Sequence, residues 1–258
     1  SDLLIIALIS NMFRSFAGRS SPLQQLLRHQ AGQVRLFTKL WRRVKSTLPQ
    51  VGEPRPEFMV LEGPTQRQKL VLWGMMGINL SVFLKWNSID SIDQKRKMAD
   101  HWTTNVRNTL ERPWTLITAA FSHSVPLHFA FNMVAFNSFA PILIELLAVR
   151  QFLSFYLSAS AVASLSHAAY CLATRTDTPA LGASGAVSSM MVMVAILFPS
   201  AKFLIFGIFP CPAIVCVAGF ATYEIFYLGD NSGVGRAAHL GGLAFGVLYY
   251  FRRIRIRL

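Results

Sequence analysis

Charged side chains are scarce in this sequence, and acidic ones are the scarcest. Only 14% of the 258 residues are charged and 53% are hydrophobic, whereas a typical soluble domain has about 25% charged residues. The 25 Lys and Arg residues outnumber the 12 Asp and Glu residues, and they lie between and beyond the apolar segments. This composition argues against a soluble globular domain and against a nucleic-acid-binding surface. It favours a membrane protein whose basic ends face anionic lipids.

Cysteine clusters and metal-binding motifs are also missing. The three cysteines, Cys171, Cys211 and Cys216, lie in or beside apolar segments without the spacing of a disulfide framework, which favours a packing role for their thiols. The six histidines include no His-Glu-x-x-His sequence and no Cys/His cluster at ligand spacing. These absences disfavour a metalloprotease.

Residues 1–66 are interpreted as a basic extension that ends in a linker. No acidic residue occurs from position 11 to position 52, a composition shared by organelle transit sequences and basic juxtamembrane regions, and both interpretations stay open. Four prolines place the linker at residues 49–64. The apolar run Leu3–Ile9 is far shorter than the roughly 20 residues of a membrane span. Three interpretations stay open for this run: the remnant of an additional N-terminal span, the end of a targeting segment and an interfacial segment.

Six apolar stretches follow and predict an all-α membrane protein with six transmembrane helices. They cover residues 68–86, 126–147, 151–173, 181–199, 203–223 and 237–251. A polar loop, 87–125, joins the first two. Six spans bring both chain ends to one side of the membrane, where the charge is almost entirely positive, as the positive-inside rule requires. The predicted core is therefore 67–251, followed by a basic tail at 252–258.

Three of these stretches begin with polar side chains that a lipid-embedded helix normally excludes. Ser184 opens the fourth stretch, His239 opens the sixth, and His128 opens the second together with Asn132. All three stretches enter from the same side of the membrane, so these side chains share one leaflet. A serine, a histidine and a His/Asn pair are the nucleophile, general base and oxyanion donors of a serine hydrolase.

Each of these residues also has a structural interpretation. Ser184 is a small residue of the kind that membrane helices use for close packing, and His239 alone fits a hydrogen-bonded structural histidine. His128 and Asn132, four residues apart and on one helical face, can join two helices by hydrogen bonds. An ionisable side chain within a span is nevertheless a functional candidate. Their joint occurrence at one depth favours catalysis.

The sequence predicts a Ser184–His239 dyad without a third member. Glu145 and Glu224 lie at the ends of apolar stretches, and no aspartate lies within one, so we expect no carboxylate to orient the imidazole. Glycines near the two residues predict close packing between the fourth and sixth helices. These glycines are Gly182, Gly185, Gly242 and Gly246.

Together the motifs resemble those of the rhomboid intramembrane serine proteases. That family has His-x-x-x-Asn on its second core span, Gly-x-Ser-Gly at the start of the fourth and Ala-His-x-x-Gly-x-x-x-Gly on the sixth. The chain has each of them in this order, at His128–Asn132, Gly182–Gly185 and Ala238–Gly246. The basic extension and the sequence Phe121-Ser122-His123 are similar to the mitochondrial branch of the family, the presenilin-associated rhomboid-like proteins.

The resemblance implies a cofactor-free enzyme of the mitochondrial inner membrane that cleaves single-span membrane proteins within or near their transmembrane segments. Ser184 would attack the scissile carbonyl and form an acyl-enzyme, His239 would accept and return the proton, and His128 and Asn132 would stabilise the oxyanion. The branch carries an extra span before its core, to which only Leu3–Ile9 would correspond here. The alternative is a catalytically inactive relative that binds membrane clients, which the presence of both serine and histidine disfavours.

Overall fold

The computed structural model describes residues 61–205, 209–230 and 235–254. Most of the predicted N-terminal extension, including Leu3–Ile9, and the last four residues of the predicted tail lie outside the described residues. The elements run in chain order as α1 Gln66–Asn87, α2 Ile92–Trp102, α3 Val106–Glu111, α4 Thr115–Thr118, α5 Pro126–Thr174, α6 Ser184–Leu197, β1 Lys202–Ile205, β2 Phe209–Pro212, α7 Ala213–Phe226 and α8 Arg236–Tyr249. The described part of the chain is thus mainly helical, as predicted.

Helix α1 corresponds to the first predicted apolar stretch. It begins with a capping box, in which Thr65 Oγ1 accepts from the Gln68 amide at 3.3 Å and the Gln68 side chain accepts from the Thr65 amide at 2.7 Å. One face packs against α5, while Leu70 and Trp73 on the other face are exposed. The exposed apolar face is what a helix in contact with lipid requires.

The segment predicted as a polar loop, 87–125, is largely helical. Helices α2, α3 and α4 lie within it, and Asn105 caps α3 by accepting from the Asn108 amide at 2.7 Å. Long-range contacts hold this segment. Thr104 pairs with Ala180 in an antiparallel bridge, and Asp177 accepts from the Val106 amide at 2.8 Å. A short polar sequence shows too little apolar periodicity to predict such helices.

Helix α5 contains the second and third predicted stretches in succession. Pro126 stands at its start, where the missing amide hydrogen costs nothing. Ala148, with φ 57° and ψ 163°, breaks α5 into two halves at the predicted connection. Among the described residues, only α5 is long and apolar enough to cross a membrane, whereas α6 and α7 are shorter apolar helices. The count of six spans therefore stays a prediction.

The fifth predicted stretch, 203–223, is only partly helical, which corrects the sequence analysis. Lys202–Ile205 and Phe209–Pro212 form an antiparallel hairpin with Lys202 opposite Pro212, and α7 begins at Ala213. Prolines at 210 and 212 explain the difference, because a proline lacks an amide donor and clashes with the preceding helical turn. Helix α7 ends at Phe226, three residues beyond the predicted stretch.

Helix α6 lies at the centre of the fold. Ten of its 14 residues are buried, which is expected for a helix that is apolar all round. It packs between α5 and α8, and the large side chains in this core are fully buried: Phe136, Phe152, Phe155, Tyr156, Met190 and Met193. The central position fixes the N-terminal end of α6, where Ser184 lies.

Candidate active site

Ser184 and His239 lie at the N-terminal ends of α6 and α8, and their side chains are hydrogen-bonded. Ser184 Oγ is 2.7 Å from His239 Nε2, across a separation of 55 residues in the chain. This distance lies within the range expected for a nucleophile and its general base. The imidazole is 12% exposed. The structure thus brings together the two residues that the sequence analysis paired.

Glycines form the contact between α6 and α8. A Cβ on Gly242 would lie 2.9 Å from the carbonyl carbon of Gly185, and one on Gly246 would lie 2.6 Å from the carbonyl oxygen of Ser189. Both distances are shorter than any real Cβ contact, so only glycine fits. Ser189 Oγ also donates to the Gly242 carbonyl at 2.6 Å. The backbones of the two helices are therefore in direct contact one to two turns beyond the Ser184–His239 pair.

Gly182, two residues before Ser184, allows the turn that opens α6. Its φ of +125° lies in a region that side chains other than glycine rarely adopt. A Cβ there would lie 2.6 Å from Cε1 and 2.9 Å from Nε2 of His128. The imidazole of His128 therefore packs directly on the backbone that precedes the serine.

Asn132 lies one turn further along α5 than His128. Its side chain is buried, and its amide nitrogen donates to the His128 carbonyl at 2.9 Å. An amide nitrogen carries two N–H donors, and this bond uses one of them. The structure thus places the His128 side chain beside the start of α6. The hydrogen bond of the Asn132 side chain is made within its own helix, α5.

His123 is a further residue of the site, for which the sequence analysis assigned no role. It is fully buried in the segment before α5, and its Nε2 accepts from the Ala183 amide at 3.2 Å. Burial, followed by the neighbouring His128, lowers the pKa of His123 to about 3. The ring is therefore neutral at physiological pH, which an acceptor nitrogen requires. His123 holds the backbone of the residue immediately before Ser184.

The prediction that no carboxylate lies near His239 is wrong. Glu224 Oε1 is 3.0 Å from His239 Nδ1, and the Glu224 side chain is only 3% exposed. The buried residues of α7 are Ala213, Val217 and Glu224. The glutamate therefore lies on the face of α7 that packs against the rest of the protein. The end of α7 lies beside the start of α8, which brings the carboxylate to the imidazole.

Arg236, in the first turn of α8, neutralises part of this buried charge. Its Nη1 is 3.4 Å from Glu224 Oε2, and its Nε and Nη2 donate to the two Asp230 oxygens at 3.0 and 2.7 Å. The guanidinium carbon lies 5.0 Å from the ring centroid of Tyr223 and 5.5 Å from that of Tyr227. Such a contact with the face of an aromatic ring is favourable for a cation.

The described part of the chain contains no group of three or more His, Cys, Asp or Glu side chains that could hold a metal ion. Its three cysteines are free thiols. Cys171 is buried in α5 with its Sγ 3.5 Å from His167 Nε2, and Cys216 Sγ lies 3.7 Å from the Cys211 carbonyl.

Comparison with known proteins supplies the family context. Residues 110–256 match the Rhomboid domain family. The chain is 32% identical to Rhomboid protein 1, mitochondrial, of Saccharomyces cerevisiae over 186 residues, 70% of this chain and 52% of the relative. It is 32% identical to the human Presenilin-associated rhomboid-like protein, mitochondrial, over 184 residues, 68% of this chain and 46% of the relative.

A plant relative extends the range of organisms. RHOMBOID-like protein 12, mitochondrial, of Arabidopsis thaliana is 29% identical over 208 residues, 74% of this chain and 60% of the relative. The chain spans about half the length of the curated relatives that it matches. All of these relatives carry a mitochondrial name.

Proposed function

The chain belongs to the rhomboid family, and we propose that it is an intramembrane serine endopeptidase. The family match covers more than half of the chain, and the relatives identify it as an integral mitochondrial membrane protein of the presenilin-associated rhomboid-like branch. The observation that carries the proposed activity is the 2.7 Å contact between Ser184 Oγ and His239 Nε2.

The proposed reaction proceeds through an acyl-enzyme. Ser184 Oγ attacks the scissile carbonyl carbon while His239 Nε2 accepts the hydroxyl proton, and a tetrahedral oxyanion forms. His239 returns this proton to the leaving amide nitrogen, the C–N bond breaks, and the amine product departs. A water molecule then gives its proton to His239 and attacks the ester carbonyl. Collapse of the second oxyanion breaks the ester bond and releases the acid product, while His239 returns the proton to Ser184 Oγ and restores the serine hydroxyl.

The oxyanion is proposed to form between α6 and the start of α5. The first amides of a helix have no intrahelical acceptor, and Ser184 is the first residue of α6. His128 packs against Gly182 at this helix start, which supports its role as a donor to the oxyanion. Asn132 is proposed as a second donor through the N–H that its bond to the His128 carbonyl does not use. Donors aimed at developing charge lower the barrier most in a site with little water.

The proposed substrates are single-span proteins of the mitochondrial inner membrane. The family acts on membrane proteins within the bilayer, and the apolar exposed faces of α1 and α7 suit a partner that arrives through lipid. Ser184 and His239 each begin a helix, so the peptide bond would be cut near one membrane surface, where water can enter. The basic residues beyond the helices would contact anionic lipids.

The test uses detergent-solubilised protein, a fluorophosphonate probe and a single-span reporter. Ser184→Ala and His239→Ala should each abolish both labelling and cleavage, whereas Ser188→Ala should retain them, because the Ser188 hydroxyl only donates to its own helix, to the Ser184 carbonyl. A chelator should have no effect. Folded parent protein that binds the reporter without labelling or cleaving would instead identify an inactive client-binding relative.

A further inference from the structure

We infer that Glu224 is a positioning residue for His239, so that the site works as a Ser184–His239–Glu224 triad and not as a dyad. The inference rests on the proposed function, because it assigns a role in the same reaction. It starts from the two contacts of one imidazole, with Ser184 Oγ at 2.7 Å from Nε2 and Glu224 Oε1 at 3.0 Å from Nδ1.

The two contacts determine which ring nitrogen carries the proton. An ionised carboxylate only accepts hydrogen bonds, so Nδ1 must be the N–H that donates to Glu224. Nε2 then presents its lone pair to the Ser184 hydroxyl, which is the protonation state that a general base needs. Without an acceptor at Nδ1, the neutral ring is free to adopt the opposite tautomer, which cannot remove the serine proton.

The charged side chains around His239 include a partner for the imidazolium that forms in the proposed reaction. Glu224 and Asp230 are acidic and Arg236 is basic, so two carboxylates and one guanidinium leave one net negative charge beside the ring. When His239 accepts the serine proton, the positive imidazolium restores neutrality to the cluster. A buried charge is stable only when it is paired and hydrogen-bonded. Arg236 pairs with Oε2 and leaves Oε1 for the imidazole.

Helix α7 also supports the imidazole by packing. Phe220 lies one turn before Glu224 on the same face, and its ring centroid is 5.7 Å from that of His239 with 37° between the planes. Arg236 and His239 are three residues apart in α8, so they lie on the same side of their helix. The last two turns of α7 and the first turn of α8 thus form one unit around the base.

The inference is tested by comparing kcat and KM for the reporter in two Glu224 variants and one control. Glu224→Gln should lower kcat by roughly 10³- to 10⁴-fold with KM unchanged, as loss of the orienting carboxylate does in soluble serine proteases. Glu224→Asp keeps the charge of the cluster but withdraws the carboxylate from His239 by one methylene, and should lower kcat by at least about tenfold. Glu145→Gln, which makes the same change at the glutamate of α5, should behave like the parent.

Two further measurements separate positioning from folding. Thermal unfolding of Glu224→Asp should match the parent, so that its lower kcat cannot reflect misfolded protein; this variant decides the matter if Glu224→Gln does not fold. Any residual cleavage by His239→Ala, measured at high enzyme concentration above the uncatalysed background, should not fall further when Glu224→Gln is added, because a residue that acts through the base has no effect once the base is gone.

The possible failures are distinguishable. If both Glu224 variants cleave like the parent while Ser184→Ala and His239→Ala are inactive, the triad is wrong and the proposed function stands. A fall in kcat of Glu145→Gln equal to that of Glu224→Gln would also overturn the inference, because it would show a general effect of lost charge. Cleavage that survives Ser184→Ala would overturn the proposed function itself.

Discussion

The two helices that flank His239 hold it by different physical means. Helix α6 meets α8 through backbone contacts, with Gly242 against Gly185 and Gly246 against Ser189. Helix α7 meets the start of α8 through buried charges, with Glu224 against both His239 and Arg236. The first contact is steric, and we propose that it sets the distance between Ser184 and His239. The second is electrostatic, and we propose that it sets the orientation of the His239 ring.

This difference predicts opposite sensitivities. A glycine contact has no space for an added atom, so it is damaged by enlarging a side chain. In a buried ion pair each charge is stabilised by its partner, so the contact is damaged by removing one side chain and leaving the other unpaired. The four predictions below test the two contacts separately, from the largest expected effect to the smallest.

The largest effect is expected at the glycine contact. Gly242→Leu should abolish cleavage and Ser184 labelling, because its Cβ alone would overlap the Gly185 backbone. Gly246→Leu should lower activity per folded molecule by roughly 10²-fold, the effect of a displacement near 1 Å. The matched control is Gly77→Leu on α1, where a Cβ has no heavy atom within 4 Å. Equal activity in all three variants would show that glycine packing does not set the distance between Ser184 and His239.

Removal of Arg236 tests the charged contact through stability. Arg236→Met leaves Glu224 and Asp230 without their guanidinium, and we expect a loss of about 3–5 kcal/mol, typical of a broken buried ion pair. Arg236→Lys should recover only part of it, because lysine cannot form the two parallel bonds to Asp230. The measurement is the midpoint of thermal unfolding in detergent. A midpoint unchanged in Arg236→Met would show that the charges are solvated and not structurally coupled.

The same contrast explains what the sequence could predict. Ser184 and His239 were paired because each opens an apolar stretch that enters from one side of the membrane, and helix periodicity carries that information. Glu224 ends its stretch on that same side, and Ala213, Val217 and Glu224 repeat at helical spacing on one face. The sequence therefore contained a pattern that places Glu224 on the buried face. A glutamate at the end of a helix is usually exposed to solvent, however, and its pairing with Arg236, twelve residues later, is evident only in the structure.

Other features needed the three-dimensional structure. Most of the two strands Lys202–Ile205 and Phe209–Pro212 fell in a stretch predicted as helix because its composition is apolar, and only the prolines at 210 and 212 indicated otherwise. The helices of segment 87–125 depend on distant partners such as Asp177, which no local pattern reveals. The hydrogen bond from the Ala183 amide to His123 joins residues 60 positions apart and had no sequence signal. The glycine contacts, by contrast, follow the small-residue pattern of the sixth stretch.

A smaller effect is expected from Asp230, at the edge of the charged contact. Asp230→Asn keeps the bond between Glu224 and His239 but removes the partly exposed carboxylate that holds Arg236. We expect kcat to fall by less than about tenfold, since pairs that reach solvent contribute little, and we expect KM to stay unchanged. Steady-state cleavage of the reporter measures both constants. A loss as large as that of Glu224→Gln would assign the effect to net charge and not to the hydrogen bond with Nδ1.

At neutral pH the smallest effect is expected at His123, which adds a polar bond to the steric side of the comparison. Because the pKa of His123 is lowered to about 3, the unfolded chain binds a proton between about pH 3 and 6.5 that the folded chain does not. Its contribution to stability is therefore complete above pH 6.5 and is lost as the pH falls toward 3. His123→Gln keeps an acceptor for the Ala183 amide but cannot titrate, so its unfolding midpoint should change less than that of the parent between pH 6.5 and 4. Parallel profiles would mean that His123 is protonated in the folded protein, and then the start of α6 would need another acceptor.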